Sequence, residues 1–314
     1  MYITEDVDIQ VIQDQVANMN KIEIFGKEIP LRTHYCHLFG KENREVEEPY
    51  VNLYVRSKFC NAKCQFCTFA DDASHWNEKR FIEVLKEINS KVKIRKIAFT
   101  GGEPTLYWDK FKSAVLIAKD MMQPETHLSM NTDGFRLRKL FEDPIADLFT
   151  YIQISRHHFD DKLNDEIFGT KTPTAEELKW AQSTCEDKFK IQLSCNLIKG
   201  YIDEKEKMYQ YLEWVNSLEI NSVGFVSLMP VNQYSKDNYI GYNMKNLINE
   251  RFNVTKEWSY KESCECTNYI YIPENMREMI RVYHKNTYRP FDINETIIFD
   301  GEYVKLGFEG EIIA

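Results

Sequence analysis

Residues 50–67 have the sequence YVNLYVRSKFCNAKCQFC. The segment from Tyr50 to Val55 alternates in polarity and is rich in residues that favour β-structure, which predicts a strand. The strand runs directly into a loop with three cysteines, separated by three and then two residues: Cys60, Cys64 and Cys67. Thiolates are the usual ligands of iron–sulfur clusters, and three on one short loop can hold one cluster. Because a [4Fe–4S] cube has four irons, three protein ligands leave one iron open for another molecule.

The same cysteines have two simpler interpretations. They could be three unrelated buried thiols. They could also bind zinc, which requires a fourth ligand, and His75 is near enough in sequence to supply it.

The composition limits the classes of protein. The 314 residues are 43% hydrophobic, carry a formal net charge of -9 and include eight cysteines. No run of about 18 apolar residues is present and the acidic start lacks the features of a signal peptide, so we expect no membrane span and a cytoplasmic location. No cluster of Lys and Arg predicts a nucleic-acid partner. Since disulfides are rare in the cytosol, metal or cluster ligation is the leading interpretation of the cysteines.

Outward from the cysteine loop, predicted strands and helices alternate. The apolar spacing of Phe81, Leu85 and Ile88 predicts a helix over about 77–90, and a second strand follows from Ile94 to Thr100. Further strands are predicted at 127–130, 151–155, 191–198 and 223–228, and further helices at 108–122, 137–149, from Thr174 and at 204–218. Six strands alternating with helices indicate parallel βαβ units. The predicted fold class is α/β, a partial (β/α)6 TIM-like barrel with its chemistry at the carboxyl ends of the strands.

Three segments are expected around this pattern. Residues 1–49 form a small N-terminal element, residues 50–230 the barrel, and residues 231–314 a C-terminal α/β extension that closes the barrel. In the extension we predict a helix from about Glu274 to His284. Asp300-Gly301 lies between two β-forming runs, which predicts a hairpin.

A second motif ends the second strand, Thr100-Gly101-Gly102-Glu103-Pro104. Glycines let a backbone approach a ligand closely, and Glu103 and exposed carbonyls can accept hydrogen bonds from an ammonium group. Alone, this sequence could be an ordinary turn. Together with the spacing of the cysteines, and with Phe66 before the last of them, it resembles the radical S-adenosylmethionine (SAM) superfamily over about residues 50–230. The resemblance implies one [4Fe–4S] cluster on the cysteines and a SAM amino group bound at residues 100–104.

The resemblance also implies SAM contacts at the later strand ends, although each of these segments could be a strand followed by a polar turn. Arg suits a carboxylate because it binds one bidentately. The residues so placed are Ser129 and Asn131 for the ribose, Ser155 and Arg156 for the carboxylate, Asn196 in the SAM-binding segment of the fifth strand, and Met229 where family members pack against adenine.

Substrate contacts are expected at two places. Many family members carry an Asp near the end of the fourth strand, whereas this chain has His157 and His158, which makes both candidate substrate contacts. Tyr54 and Arg56 lie on or just after the first strand, where alternate residues face the barrel interior. For the two histidines, the simpler interpretation is that one of them faces solvent in a loop. For Tyr54 and Arg56, it is that both are packed core positions.

The resemblance implies radical chemistry. A reduced cluster gives one electron to bound SAM, which splits into methionine and a 5′-deoxyadenosyl radical, and this radical abstracts hydrogen from an unactivated carbon. An electron donor such as flavodoxin or ferredoxin is implied as a partner. An enclosed, apolar and aromatic barrel interior is expected, since it would exclude competing reactions.

Three functions remain open. The favoured substrate is a small polar metabolite or nucleotide. The alternative is a ribosomally made peptide, to which the Asp300-Gly301 hairpin could offer a strand edge, although about 49 residues before the first strand are few for a leader-binding domain. The third function is a non-catalytic scaffold that binds zinc or a cluster. Such a scaffold has no need of a SAM site, so the motif at residues 100–104 argues against it.

The remaining cysteines give weaker signals. Cys264 and Cys266 are a candidate auxiliary metal site, although relatives that hold an auxiliary cluster in the C-terminal extension use three or four cysteines and only two lie close together here. Cys36, Cys185 and Cys195 are scattered, and Cys185 is expected in the core because it shares a predicted helix face with Leu178.

Overall fold

The computed structural model describes residues 20–34, 45–67, 76–240, 267–272, 279–285, 296–307 and 310–314. Within these residues the strands are β1 (Lys21–Ile24), β2 (Lys27–Pro30), β3 (Arg32–His34), β4 (Glu45–Ser57), β5 (Lys93–Gly101), β6 (His127–Thr132), β7 (Tyr151–Ser155), β8 (Ile191–Leu197), β9 (Ser222–Ser227), β10 (Thr267–Tyr271), β11 (Ile280–Lys285), β12 (Thr296–Phe299) and β13 (Val304–Leu306). The helices are α1 (Glu78–Asn89), α2 (Trp108–Met121), α3 (Leu137–Glu142), α4 (Asp161–Phe168), α5 (Ala175–Ser183), α6 (Lys205–Ser217) and α7 (Gln233–Asp237). None of these helices combines the length and apolar character that a membrane span requires.

The six strands β4 to β9 lie side by side in chain order and pair in parallel. The C-terminal strands add to both sides of this group, β12 in parallel with β4 and β11 in parallel with β9. At the two ends of the sheet, β10 and β13 do not pair with each other, so the sheet stays open within the described residues. The α/β class and the partial barrel are confirmed.

Local sequence signals explain several helix boundaries. The side chain of Asn77 accepts a hydrogen bond from the Arg80 backbone N–H and caps α1. Thr174 and Glu177 form a capping box at the start of α5, where the sequence predicted a helix to begin. The helix predicted over 137–149 is interrupted, because α3 ends before Pro144 and a 3-10 turn follows it.

One prediction of secondary structure was wrong, and one helix was missed. The described part of the helix predicted over 274–284 is the strand β11, because buried Ile280, Val282 and His284 alternate with Arg281 and Tyr283 at the spacing of a strand. The helix α4 was not predicted, although its ends carry signals in the sequence. The side chain of Asp160 caps its first turn, and it ends at Gly169 in the left-handed conformation.

The hairpin predicted at Asp300 is present as the antiparallel pair β12–β13. Its turn is held by the Asp300 carboxylate, which accepts a hydrogen bond from the Tyr303 backbone N–H at 2.9 Å. The outer edge of β13 already pairs with the C-terminal residues: the Val304 N–H donates to the Ala314 carbonyl, and Lys305 pairs with Ile312. The expectation that this hairpin offers a free edge to a peptide is therefore wrong.

Alternate residues of the parallel strands face the helices or the inner face, which we define as the side of the sheet turned away from the helices. Val51, Leu53 and Val55 of β4 are buried in the core with residues of α1 and α2. The strand register places the intervening residues on the inner face. From Lys96 to Val226 the inner-face positions of β5 to β9 are polar except at Ala98, Gly224 and Val226. The expected apolar interior is therefore wrong for these strands, although Tyr54, Tyr151 and Tyr283 do place aromatic rings on this face.

Candidate active site

The cysteine loop and the Thr100–Pro104 turn follow two neighbouring strands, β4 and β5. Two short backbone hydrogen bonds join them: Gly102 N–H to the Ser57 carbonyl and Glu103 N–H to the Phe59 carbonyl, both at 2.7 Å. The turn therefore fixes the backbone that enters Cys60.

Both glycines of the turn are required by this contact. Gly101 has φ +108°, a conformation that strains any residue with a Cβ. At Gly102 a Cβ would lie 2.0 Å from the Phe59 carbonyl oxygen and 3.1 Å from the Cys60 nitrogen. The two motifs that the sequence singles out thus form one packed unit.

Other segments hold the rest of the loop. Asn61 Nδ2 donates to Asp133 Oδ2 at 2.9 Å, after β6. The Lys63 N–H donates to the carbonyl of Phe168, the last residue of α4, at 2.8 Å. Asn232, which caps α7, donates from its side chain to the Gln65 carbonyl at 3.0 Å. The loop is therefore anchored by elements that are far apart in sequence.

The entry to the loop is also tied to the C-terminal hairpin. Lys58 Nζ lies 3.3 Å from Asp300 Oδ2, and both side chains are buried. Because breaking a buried pair leaves an uncompensated charge, this contact constrains where the loop begins.

The three thiols lie on one short loop, in partly buried surroundings. Burial and the nearby Asp133 and Glu103 carboxylates raise the pKa of Cys60 to about 11, and burial and the other two thiols raise that of Cys64 to about 12. Thiolates at such positions require a strong positive partner, which an iron–sulfur cluster would provide. Three thiolates are a donor set that such a cluster uses, so these residues fit the group. His75, the candidate fourth ligand for zinc, lies outside the described residues.

Glu103 is wholly committed to the protein. Its carboxylate is buried and accepts hydrogen bonds from Thr105 N–H and Oγ1, from Thr132 Oγ1 and from Asp133 N–H. Burial and the nearby charge of Asp133 raise its pKa. The side chain ties the end of β5 to the end of β6, so an ammonium group at this turn would be received by backbone carbonyls instead. This corrects the expectation for the Glu103 side chain.

The polar residues expected at the later strand ends share one edge of the sheet. Asn131 Nδ2 lies 3.3 Å from Thr100 Oγ1, and Ser155 and Asn196 end the inner face of β7 and β8. Ser129 is buried two residues earlier on the same face. Met229, just after β9, has 46% of its surface exposed, which leaves it accessible to a ligand.

Arg156 does not face this edge. It is buried, and its guanidinium donates to the His158, Phe159 and Pro173 carbonyls and to Asp161. Trp214 stacks against the same group at 5.0 Å. A carboxylate of SAM would have to break this network, so the role expected for Arg156 is corrected to an internal brace.

The two histidines after β7 are also used internally. His157 is buried, stacked on Phe168 with ring centres 4.8 Å apart and edge-on to Phe66 at 5.4 Å. Its Nδ1 accepts the Asn196 N–H at 3.0 Å, and burial lowers its pKa to about 3. His158 Nδ1 accepts the Asp160 N–H at 2.9 Å. His157 therefore packs against the cysteine loop through Phe66, which leaves it no role as a substrate contact, whereas the substrate contact expected at His158 stays a prediction.

Tyr54 and Arg56 face the inner side, as expected for substrate contacts, and Tyr54 accepts a hydrogen bond from Lys96 Nζ at 3.2 Å. A cavity of about 310 Å³ is lined by Phe59, Phe99 and Phe111, together with Arg56 at the end of β4.

The remaining cysteines lie away from the loop or outside the described residues. Cys195 is buried, Cys185 is half-buried beside the core, and Cys36, Cys264 and Cys266 lie outside the described residues.

Sequence reasoning missed the residues that anchor the loop from a distance. Asp133 follows a strand in an Asn-Thr-Asp-Gly turn, so its position at a strand end was a usable signal. Asn61, Asn232 and Lys58 carry no local signal, because their partners lie 72, 167 or more residues away.

Comparison with known proteins gives a family. The model of the family described as the radical SAM superfamily matches residues 54–212 of the 314. A GTP 3′,8-cyclase of Haemophilus influenzae is 27% identical over 187 residues, which cover 57% of this chain and 53% of that one. A Methanocaldococcus jannaschii protein, named for the activation of glycyl-radical enzymes, is 26% identical over 163 residues, covering 49% and 59%. The chain thus spans about half the length of the curated relatives it matches.

Solved structures show the same fold. Streptococcus suis SuiB bound to its precursor peptide SuiA aligns with a TM-score of 0.50 and 18% identity, over 63% of this chain and 44% of that one. SuiB bound to S-adenosylmethionine aligns with the same TM-score and 19% identity, over 63% and 45%.

Proposed function

The chain belongs to the radical SAM superfamily, and from this premise we propose that it holds one [4Fe–4S] cluster on Cys60, Cys64 and Cys67 and binds SAM at the open iron. Its reaction is hydrogen abstraction from a small polar metabolite or nucleotide by the 5′-deoxyadenosyl radical. When bound and reduced, the cluster supplies the electron that splits SAM. A flavodoxin or ferredoxin is the proposed electron donor.

One observation carries the proposal: the Gly101-Gly102 turn is hydrogen-bonded to the backbone that enters the cysteine loop. A molecule held by the carbonyls of this turn therefore lies beside the thiols. Thr100, Asn131, Ser155 and Asn196 line the same edge with hydroxyl and amide groups suited to the ribose and amino-acid parts of SAM.

A polar small molecule is favoured over a peptide for two reasons. The inner face is lined by hydroxyl, amide and basic groups, and the β13 edge is paired. The relative named GTP 3′,8-cyclase acts, by its name, on a nucleotide. Transfer of deuterium from a labelled candidate substrate into 5′-deoxyadenosine would identify the substrate directly.

The central test uses protein reconstituted with iron and sulfide under anaerobic conditions, then mixed with dithionite and SAM. We expect about four irons per chain and formation of 5′-deoxyadenosine. Cys64→Ala should lose both, whereas Cys185→Ala, which removes a half-buried thiol away from the loop, should keep both. Equal yields from Cys64→Ala and the wild type would disprove the proposal, and one zinc with negligible iron would support the scaffold.

A further inference from the structure

From Tyr50 onwards, the strands that the structure describes place basic but no acidic side chains on the inner face; Glu48, earlier in β4, lies 4.0 Å from Lys93. From Tyr50 to Ser57 in β4, and along the whole of β5 to β9 and β11, no residue is Asp or Glu. Arg56 and Lys96 stand on the inner face among hydroxyl and amide side chains. The chain as a whole has a net charge of -9, so this face differs in sign from the average of the molecule.

Tyr283 lies flat across part of this face. Gly224, its register partner on β9, provides the space, because a Cβ there would lie 2.0 Å from Tyr283 Cζ. The Tyr283 hydroxyl hydrogen-bonds to Gln153 on β7 and to Ser194 on β8. The ring therefore bridges from β11 to β7 and presents a fixed polar surface.

Lys96 lies at a deeper level than the SAM edge. It stands four residues before Thr100 on β5, which at about 3.3 Å per residue is about 13 Å along the strand. Its Nζ donates to the Tyr54 hydroxyl at 3.2 Å and sits 5.0 Å over the Tyr54 ring. Tyr283 is level in register with Ser194 and Ser155, so its ring lies between the level of Lys96 and the carboxyl ends of the strands.

We propose that Lys96 and Tyr54 form the floor of the substrate site and receive an anionic group, a phosphate or a carboxylate, with Gln153 and Tyr283 lining the wall between this floor and the SAM edge. The inference rests on the proposed function, because it assumes that the reacting carbon lies at the SAM edge. The substrate is then an elongated anion, with its charged group about 13 Å from that edge. An ammonium group at the depth of Lys96 is disfavoured, since the lysine would repel it.

The test uses reconstituted protein saturated with SAM and without reductant, so that the carboxylate site of SAM is filled and no turnover occurs. Inorganic phosphate and succinate are titrated separately and the melting temperature is followed, with erythritol and putrescine as neutral and cationic probes. We expect phosphate, succinate or both to raise the melting temperature, with no rise from the other two. The responding anion identifies the charged group of the substrate.

Variants locate the binding. Lys96→Met and Lys96→Gln should weaken the apparent affinity for the responding anion about tenfold or more, and Lys96→Arg should retain most of it. Lys119→Met removes an equal charge from the exposed side of α2 and should bind the anion as the wild type does. Equal affinity in Lys96→Gln and the wild type, or no response to either anion, would overturn the proposal.

Formation of 5′-deoxyadenosine by the wild type is measured in parallel. It distinguishes a failure of the anionic floor from a failure of the proposed function. If SAM is cleaved and anion binding does not depend on Lys96, the anionic floor is wrong and the proposed function stands. If anions bind through Lys96 and no SAM is cleaved under reducing conditions, the proposed function is wrong and the basic surface stands.

Discussion

Leu53 and Tyr54 are neighbours on β4, yet they belong to two different environments. Leu53 is buried against the helices, in a core continuous with residues of α1 and α2, whereas Tyr54 stands on the inner face and contacts a lysine. The helix-facing side holds the fold together through apolar burial. The inner face is built of polar groups that hydrogen-bond to one another, and it is the surface at which we propose that the substrate binds. The comparison teaches that one side of the strands carries the apolar core while the other is left for the proposed ligand site.

The largest expected effect is on the helix-facing side. Leu53→Ala removes a fully buried side chain and should lower the free energy of unfolding by about 2–5 kcal/mol, through lost burial and the cavity left behind. Anaerobic denaturation with guanidinium, on samples matched for iron content, measures it. A loss below about 1 kcal/mol would contradict the claim that the helix-facing side carries the stability of the fold.

His284 is a polar exception on the helix-facing side, buried opposite Phe225 on β9. Burial lowers its pKa to about 4, whereas an unfolded histidine titrates near 6.5. As the pH falls below 6.5 the unfolded chain takes up a proton that the folded chain does not. The contribution of His284 is therefore full above pH 6.5 and falls by about 3 kcal/mol by pH 4.

The measurement is the slope of unfolding free energy against pH. His284→Gln should flatten it between pH 6.5 and 4, and His127→Gln, at the half-buried start of β6, should change it less. Identical slopes in the wild type and His284→Gln would contradict the assignment.

Gly224→Ala tests the packing of the inner face. The new methyl group would collide with the Tyr283 ring, and we expect a loss of about 1–3 kcal/mol from overpacking. In a double-mutant cycle with Tyr283→Ala the clash disappears, so the two changes should be strongly non-additive. Additive losses would mean that Tyr283 does not lie over Gly224.

The smallest expected effect is that of Tyr54→Phe. It removes one hydrogen bond to Lys96 and keeps the ring beneath the ammonium group, so the free energy of unfolding should fall by about 1 kcal/mol or less. The neighbouring Leu53→Ala is the matched comparison. A loss as large as that of Leu53→Ala would show that the inner face also carries the stability of the fold.

Much of the fold could be predicted from the sequence because its signals are local. The alternation that predicts β4, the capping box at Thr174, and the Asp300-Gly301 turn each depend on a few adjacent residues. The strand β11 was mistaken for a helix since its alternation was overlooked. The polar inner face was visible in the same way, at every second residue of the strands, and was missed because a barrel interior was expected to be apolar.

The candidate site, like the fold, could be predicted from the sequence only where its signals are local. The cysteine spacing and the two glycines could be identified from sequence, because each is a contiguous motif. The partners of Arg156 and His157 could not, since they come from α4, α6 and β8, which only the folded chain brings together. A charged or imidazole side chain after a strand has the same sequence signal whether it meets a ligand or a backbone carbonyl.

The contacts of Asn232 and Asp300 with the cysteine loop also order events during synthesis. Cys60, Cys64 and Cys67 are synthesised before Asn232, whose side chain holds the Gln65 carbonyl, and before Asp300, the partner of Lys58. The loop reaches its final shape only when these residues are available. Under the proposed function, we therefore expect the cluster to be inserted after residues up to Asp300 have folded against the loop.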